Sequence, residues 1–274
     1  MTRLLFIGDI VGKPGRELVR RGLAAIVEHR RIDLVIANVE NAAAGFGVTP
    51  DIADDLLSYG VGVMTGGNHT WDKKEIFPYF ADQPRLIRPA NLPPGAPGRG
   101  HYVARAANGV KVGVVNVMGR VFMTPIDDPF RIVSDEIAEV RREASVVLVD
   151  FHAEATSEKV AMGWHVDGRA TAVVGTHTHV QTADERVLPN GTAYITDVGM
   201  TGPHDSVIGV ERSAILQRFL TALPQRFETA HENPRLNAVV VAADETTGRA
   251  TAIERVSLSL EDIEALVARP TSTA

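Results

Sequence analysis

The chain contains no cysteine. That absence excludes disulfides, thiolate zinc sites and cysteine nucleophiles together. No apolar stretch approaches the roughly 18–20 residues that a membrane span requires, so no membrane is expected as solvent or partner. There is no run of Lys or Arg either, and 28 basic against 34 acidic residues give a formal charge of −6. This argues against long nucleic acid as a partner. A small anionic substrate needs no such footprint, and positive charge for a phosphate must then be local, for instance from metal ions. Nor is there a Gly/Ser-rich linker, a charge block or a 20–50-residue repeat. The densest punctuation, Asn91-Leu92-Pro93-Pro94-Gly95-Ala96-Pro97-Gly98, is short enough for a stiff loop. With 45% apolar residues in 274, one well-buried domain over 1–269 is expected, with 270–274 a disordered tail. Arg3 and the short run Leu4 to Ile7 are too little for a signal peptide, so a soluble, cytoplasmic protein is expected.

What is present is an alternation of strand and helix signals. Leu4 to Ile7, Leu34 to Ala37 and Val61 to Met64 are continuous apolar runs of strand length, as expected for strands covered on both faces. Between them, Pro14 opens a helical spacing of Leu18, Leu23, Ile26 and Val27 that reaches His29. Thr49-Pro50 reads as an N-cap before an N1 proline, and Gly60 closes that segment. Later strands are expected at Val112 to Val117, Val146 to Val149, Ala172 to Val174, Ala193 to Thr196, Ala238 to Ala242 and Ala250 to Val256. Helices are expected near Pro129 to Arg142 and Arg212 to Leu223. That many strands exceed what a doubly wound sheet needs. A two-sheet α/β sandwich with helices on both outer faces, αββα, uses them better.

Five polar clusters follow directly on apolar runs: Gly8-Asp9, Glu40-Asn41, Gly66-Gly67-Asn68-His69, His152 and Gly175-Thr176-His177-Thr178-His179. Loops leaving strand ends on one sheet edge converge, and these carry residue types that bind hard or borderline cations. Asp9 alone reads equally as a turn or helix-cap residue. A phosphate-loop reading around Gly12-Lys13 fails, because Gly8 to Gly12 leaves three intervening residues instead of four and Pro14 replaces the required Ser or Thr. An ionised Glu40 at a strand end needs a compensating charge, either an arginine or a metal pair bridged by its two oxygens. In the Gly-Gly-Asn-His cluster the glycines allow a tight turn, Asn68 is a weak neutral ligand and His69 can serve as a free acid or base. His152 alone would suit a satisfied core position, and a zinc-deaminase reading of His152-Ala153-Glu154 falls with the missing cysteines. Two-residue spacing in an extended segment would put His177 and His179 on one side, facing two neighbouring cations. His204 and Asp205 read as a polar loop.

Taken together these motifs resemble the calcineurin-like metallophosphoesterases, and within that superfamily the YmdB-like phosphodiesterases. The likeness includes Gly8-Asp9-Ile10-Val11-Gly12, Glu40-Asn41-Ala42-Ala43, Gly66-Gly67-Asn68-His69-Thr70-Trp71 and Thr176-His177-Thr178-His179-Val180-Gln181-Thr182. Asp9-Ile10-Val11 replaces the superfamily's Asp-x-His, and Glu40 its bridging Asp. Both departures match the YmdB-like subset. The resemblance implies a metallophosphoesterase sandwich with Asp9, Glu40, Asn41 and His179 on one metal, and Glu40, Asn68, His152 and His177 on the other. Two divalent ions against two carboxylates leave about +2, which favours a phosphate anion. The implied reaction is metal-activated water attacking phosphorus in line, with His69 protonating the leaving oxygen. Imidazole and carboxylate suit iron, manganese or zinc, and the likeness points to iron or manganese. The implied substrates are cyclic nucleotides, 2′,3′-cyclic first and 3′,5′-cyclic next. A phosphomonoesterase or protein phosphatase on the same site is the nearer alternative, and a regulatory nucleotide- or RNA-binding protein the more distant one. Oligomeric state is not legible in the residues; a homo-oligomer is the general expectation for a soluble enzyme.

Overall fold

Apolar runs whose alternate residues serve three cores explain most of this fold. The computed structural model describes residues 1–269; the tail expected at 270–274 lies outside the described residues. Along the chain come β1 (Thr2–Ile7), α1 (Gly12–Arg30), β2 (Leu34–Asn38), α2 (Pro50–Ser58), β3 (Val63–Thr65), α3 (Ile76–Asp82), β4 (His101–Arg105), β5 (Lys111–Met118), α4 (Pro129–Val140) and β6 (Val146–His152). They are followed by α5 (Thr156–Val166), β7 (Ala172–Thr176), β8 (Arg186–Val187), β9 (Ala193–Ile195), β10 (Gly202–Pro203), α6 (Arg212–Thr221), β11 (Pro234–Ala243), β12 (Ala250–Ser259) and α7 (Leu260–Ala268).

Two sheets form, one in the order β10-β11-β1-β2-β3 with β12 on β11, the other β4-β5-β6-β7-β9-β8. Leu4 and Phe6 of β1 join Val112, Val114, Val146 and Leu148 of the second sheet in a core between the sheets. The alternate residues Leu5 and Ile7 turn the other way, onto Leu18, Leu23 and Ile26 of α1 and Ile263 of α7. In the second sheet Val115, Val117, Val147 and Val149 pack outward on Val133 and Ile137 of α4 and Met162 of α5. This period-two division yields helix, sheet, sheet and helix layers, the αββα order that the strand density implied. Each fully buried Leu, Ile, Val or Phe contributes about 1.5–3 kcal/mol.

Helix α1 begins at Gly12 rather than at Pro14. Proline is tolerated there because the amides of the first turn have no intrahelical acceptor in any case. Helix α2 starts as its sequence suggests, with the Thr49 hydroxyl accepting from Ile52 N at 3.4 Å. What positions the site is strand direction. β1, β2 and β3 run parallel, as do β5, β6, β7 and β9, so the loops after β1, β2, β3, β6 and β7 leave from the carboxyl ends of parallel strands.

Candidate metal centre

Those five loops bring the expected side chains together. Around His152 Nε2 stand Asn68 Oδ1 at 2.8 Å, Glu40 Oε1 at 3.1 Å and His177 Nδ1 at 3.1 Å. Glu40, His152 and His177 thus each offer a donor atom within 4.8 Å of one another. On the other side, Asp9 Oδ1 lies 3.8 Å from His179 Nε2 and 3.9 Å from His152 Nδ1. Close approach is possible because residue 67 lacks a side chain. A Cβ on Gly67 would sit 2.4 Å from both Glu40 Oε2 and His152 Nε2.

The loop carrying the two imidazoles is not extended. His177 and His179 have φ values of 95° and 66°, in the left-handed region that non-glycine residues avoid. Their shared facing comes from anchoring instead. His177 N donates to Asp9 Oδ2 at 3.4 Å, Met200 N to His179 O at 3.0 Å, and Thr178 donates from N at 3.1 Å and from Oγ1 at 2.6 Å to Asp197 Oδ2. Asp197 is itself paired with the buried Lys159 at 2.6 Å.

Each imidazole has one nitrogen committed outward. His152 Nδ1 donates to Thr176 Oγ1 at 2.9 Å, and that hydroxyl donates to Asp150 Oδ1 at 2.7 Å. His177 Nε2 donates to Glu154 Oε2 at 3.0 Å, and His179 Nδ1 to the Ile208 carbonyl at 2.8 Å. Such outer partners fix the tautomer and leave the inner nitrogen as the donor atom. His69 is built differently. Its backbone N–H donates to Glu40 Oε2 at 2.9 Å, its Nδ1 to Asp72 Oδ2 at 2.8 Å, and its Nε2 remains for the pocket.

The electrostatics are those of a compensated charge cluster. Burial pushes Glu40 up, yet the neighbouring His152, by charge and hydrogen bond, overrides it and holds the carboxyl at about 2. Burial opposes the charge on His152, and Glu40 and Asp9 nevertheless raise it to about 9. His177 is pushed down to about 3 by burial and by His152. Burial also raises Asp9, against the pull of His179 and His152, and lifts Asp150 to about 6. When His152 is protonated, its Nε2–H points to where Glu40, Asn68 and His177 converge, so a cation there competes with that proton.

Two observations show that this donor set fits metal ions. Asp9 Oδ1 and Asn41 Oδ1 are buried and have no hydrogen-bond partner among the described residues, an arrangement that is costly without a cation. Asn41 cannot turn away, because its Nδ2 donates to Gly45 O at 2.9 Å. His204 lies beside His179 along a neighbouring groove, but Nδ1 donates to Gly202 O at 3.0 Å and Nε2 faces Asn237 Nδ2 at 3.1 Å. Asp205, in the same loop, accepts from Asn233 Nδ2 at 3.1 Å.

Sequence reasoning missed Asp72, Asp150, Glu154, Lys159, Thr176 and Asp197. Asp150 carried a signal, since it stands two residues before His152 on one strand and shares its face. Thr176 pairs in register with His152 across β6 and β7.

Residues 5–256 match the model of the YmdB-like protein family. The chain is 51% identical over 257 residues to a Bacillus subtilis (strain 168) protein named 2′,3′-cyclic-nucleotide 2′-phosphodiesterase, covering 94% of this chain and 97% of that one. A crystal structure described as a novel phosphatase from Mycoplasma pneumoniae superposes with a TM-score of 0.88 at 34% identity, covering 98% of this chain and 97% of the other. A hypothetical protein from Thermus thermophilus superposes with a TM-score of 0.87 at 44% identity, covering 94% and 99%. With fold, motif order and these likenesses in agreement, the chain belongs to the YmdB-like protein family.

Proposed function

We propose that this chain is a metal-dependent phosphodiesterase that hydrolyses cyclic nucleotides, 2′,3′-cyclic ones first and 3′,5′-cyclic ones as a further class. The observation that carries the reading is the pair of buried, unpartnered oxygens, Asp9 Oδ1 and Asn41 Oδ1, among the described residues, beside the convergent Glu40, His152 and His177. The 51% identical relative named a 2′,3′-cyclic-nucleotide 2′-phosphodiesterase supports the substrate class.

In this reading Asp9, Glu40, Asn41 and His179 hold one ion and Glu40, Asn68, His152 and His177 the other, with iron or manganese suited to the donors. When bound, such ions polarise a phosphoryl oxygen and lower the pKa of water enough to supply a nucleophile near neutral pH. Glu40 fits the shared position, because its two oxygens face different groups, Oε1 toward His152 and Oε2 toward the His69 amide. Asn41 and Asn68 contribute oxygen without negative charge, which keeps the centre attractive to a phosphate. His69 presents Nε2 to the pocket as the general acid for the leaving oxygen, while Asp72 on Nδ1 orients the ring.

The test is hydrolysis of 2′,3′-cyclic AMP, 3′,5′-cyclic AMP and a phosphomonoester by one preparation supplied with manganese or iron. Cleavage of the diesters is expected. Preference for the monoester would move the assignment to a phosphatase, and inactivity on all three would refute it.

A further inference from the structure

The pocket over the centre has two walls, and each is tied to a metal-ligand candidate. One wall is Phe46. Its loop is stapled to Asn41 from both sides, by Asn41 Nδ2 to Gly45 O at 2.9 Å and Gly45 N to Asn41 O at 3.1 Å. Gly45 allows this with φ of 91°. The ring of Phe46 packs against that of His69, 5.1 Å between centroids at 71°. The other wall is Ile208 and Val210, which line the same pocket. Ile208 is tied through its carbonyl to His179 at 2.8 Å, and Val210 bridges to Thr229. Thr229 lines the same pocket, and among the described residues its Oγ1 is buried without a partner. Glu228 stands beside it, so a second phosphate is disfavoured on this side and a neutral group is admitted.

A slot lined by an aromatic ring and aliphatic side chains, with one unused hydroxyl and an acidic neighbour, suits a flat, uncharged, hydrogen-bonding ring. We propose that this slot is the nucleobase seat of the enzyme, with Phe46 as the specificity-determining residue that stacks on the base and Thr229 Oγ1 as its hydrogen-bonding partner. The proposal rests on the phosphodiesterase reading above. Because both walls are anchored to side chains of the centre, the base and the reacting phosphorus are held at a fixed offset. Binding energy from the base is thereby converted into alignment of the phosphoryl group. Stacking of one base on an aromatic side chain contributes about 1–3 kcal/mol, or roughly 5- to 150-fold.

The experiment compares kcat/KM for 2′,3′-cyclic AMP with that for glycerol 1,2-cyclic phosphate, which has the same reacting ring and no base. It uses the wild type, Phe46→Leu and Phe46→Trp. In Phe46→Leu the ratio of the two constants is expected to fall roughly 5- to 150-fold, mainly through KM of the nucleotide, and Phe46→Trp should restore it. Taking the ratio cancels any disturbance of His69, which touches both reactions. An unaltered ratio in Phe46→Leu would overturn the seat. Calorimetric binding of 3′-AMP to the same three proteins separates the seat from the activity. Weaker binding by Phe46→Leu with recovery in Phe46→Trp supports it even where turnover fails, and equal binding by all three overturns it.

Discussion

Replacing Lys159 by methionine isolates the pair that anchors the histidine loop. Lys159 is 1% exposed and Asp197 fully buried, and Nζ donates to Asp197 Oδ2 at 2.6 Å. Methionine keeps the apolar stem and removes the charge, leaving Asp197 buried without a counter-ion. Breaking such a pair costs about 3–5 kcal/mol. Asp197 would retain Thr178 N at 3.1 Å, Thr178 Oγ1 at 2.6 Å and Gly199 N at 2.7 Å, which places the expected loss near the lower figure, about 3 kcal/mol. For a chain of this size that is a fall in Tm of roughly 6–12 °C. Thr178 lies between His177 and His179, whose left-handed backbone costs about 1–3 kcal/mol each, so metal affinity should fall with stability. The assay is urea unfolding of the single variants Lys159→Met and Asp197→Asn and of their combination. The combination should recover part of the loss, with a coupling of about 1–2 kcal/mol. A Lys159→Met cost under about 1 kcal/mol, or strict additivity, would refute the reasoning.

Three further perturbations address the centre and the scaffold. Gly67→Ala places a methyl 2.4 Å from Glu40 Oε2 and His152 Nε2, about 1 Å inside ordinary contact. Metal affinity should drop roughly 10- to 100-fold, and wild-type affinity measured by calorimetry would contradict the geometry. His69→Ala should keep its metal content yet lose about 10²–10⁴-fold in turnover on a diester with a poor leaving group; unchanged turnover would remove the acid role. Away from the site, the hydrogen bond from His101 Nδ1 to Glu136 at 2.5 Å raises the His101 pKa, against the effect of burial. A raised folded pKa gives stabilisation that is full below the unfolded value of about 6.5 and is lost as pH climbs through the folded one. Glu136→Gln should therefore cost about 0.5–1 kcal/mol near pH 5.5 and progressively less in alkaline solution. A penalty independent of pH would exclude the charge term.

Runs buried on both faces were readable because nothing polar interrupts them; Leu4 to Ile7 of β1, Leu34 to Ala37 of β2 and the first four residues of β6 are of this kind. Helix α5 escaped because its buried side carries Glu158 and Lys159 alongside Met162, Gly163 and Val166, and polar residues that are paired inside leave no apolar stripe to see. Strand β4, short and partly exposed, lacks the continuous run. At the centre, the residues at strand ends were legible by position and type. Their supports were not, since Lys159 and Asp197 lie 38 residues apart and meet only in the folded chain. Asp72 had a local signal, three residues after His69. His177 and His179 have left-handed φ and are anchored through Asp197, Asp9 and Met200, so the period-two reasoning about an extended segment does not describe this backbone.

In the proposed centre two ions share Glu40. The most direct measurement is metal content per chain of protein purified without chelator and reloaded with manganese or iron, for the wild type and for Glu40→Ala, with folding checked by circular dichroism. Two ions per wild-type chain and a marked loss in the folded variant are the expected result. A wild type that binds none, or a variant that still holds two, would contradict the account.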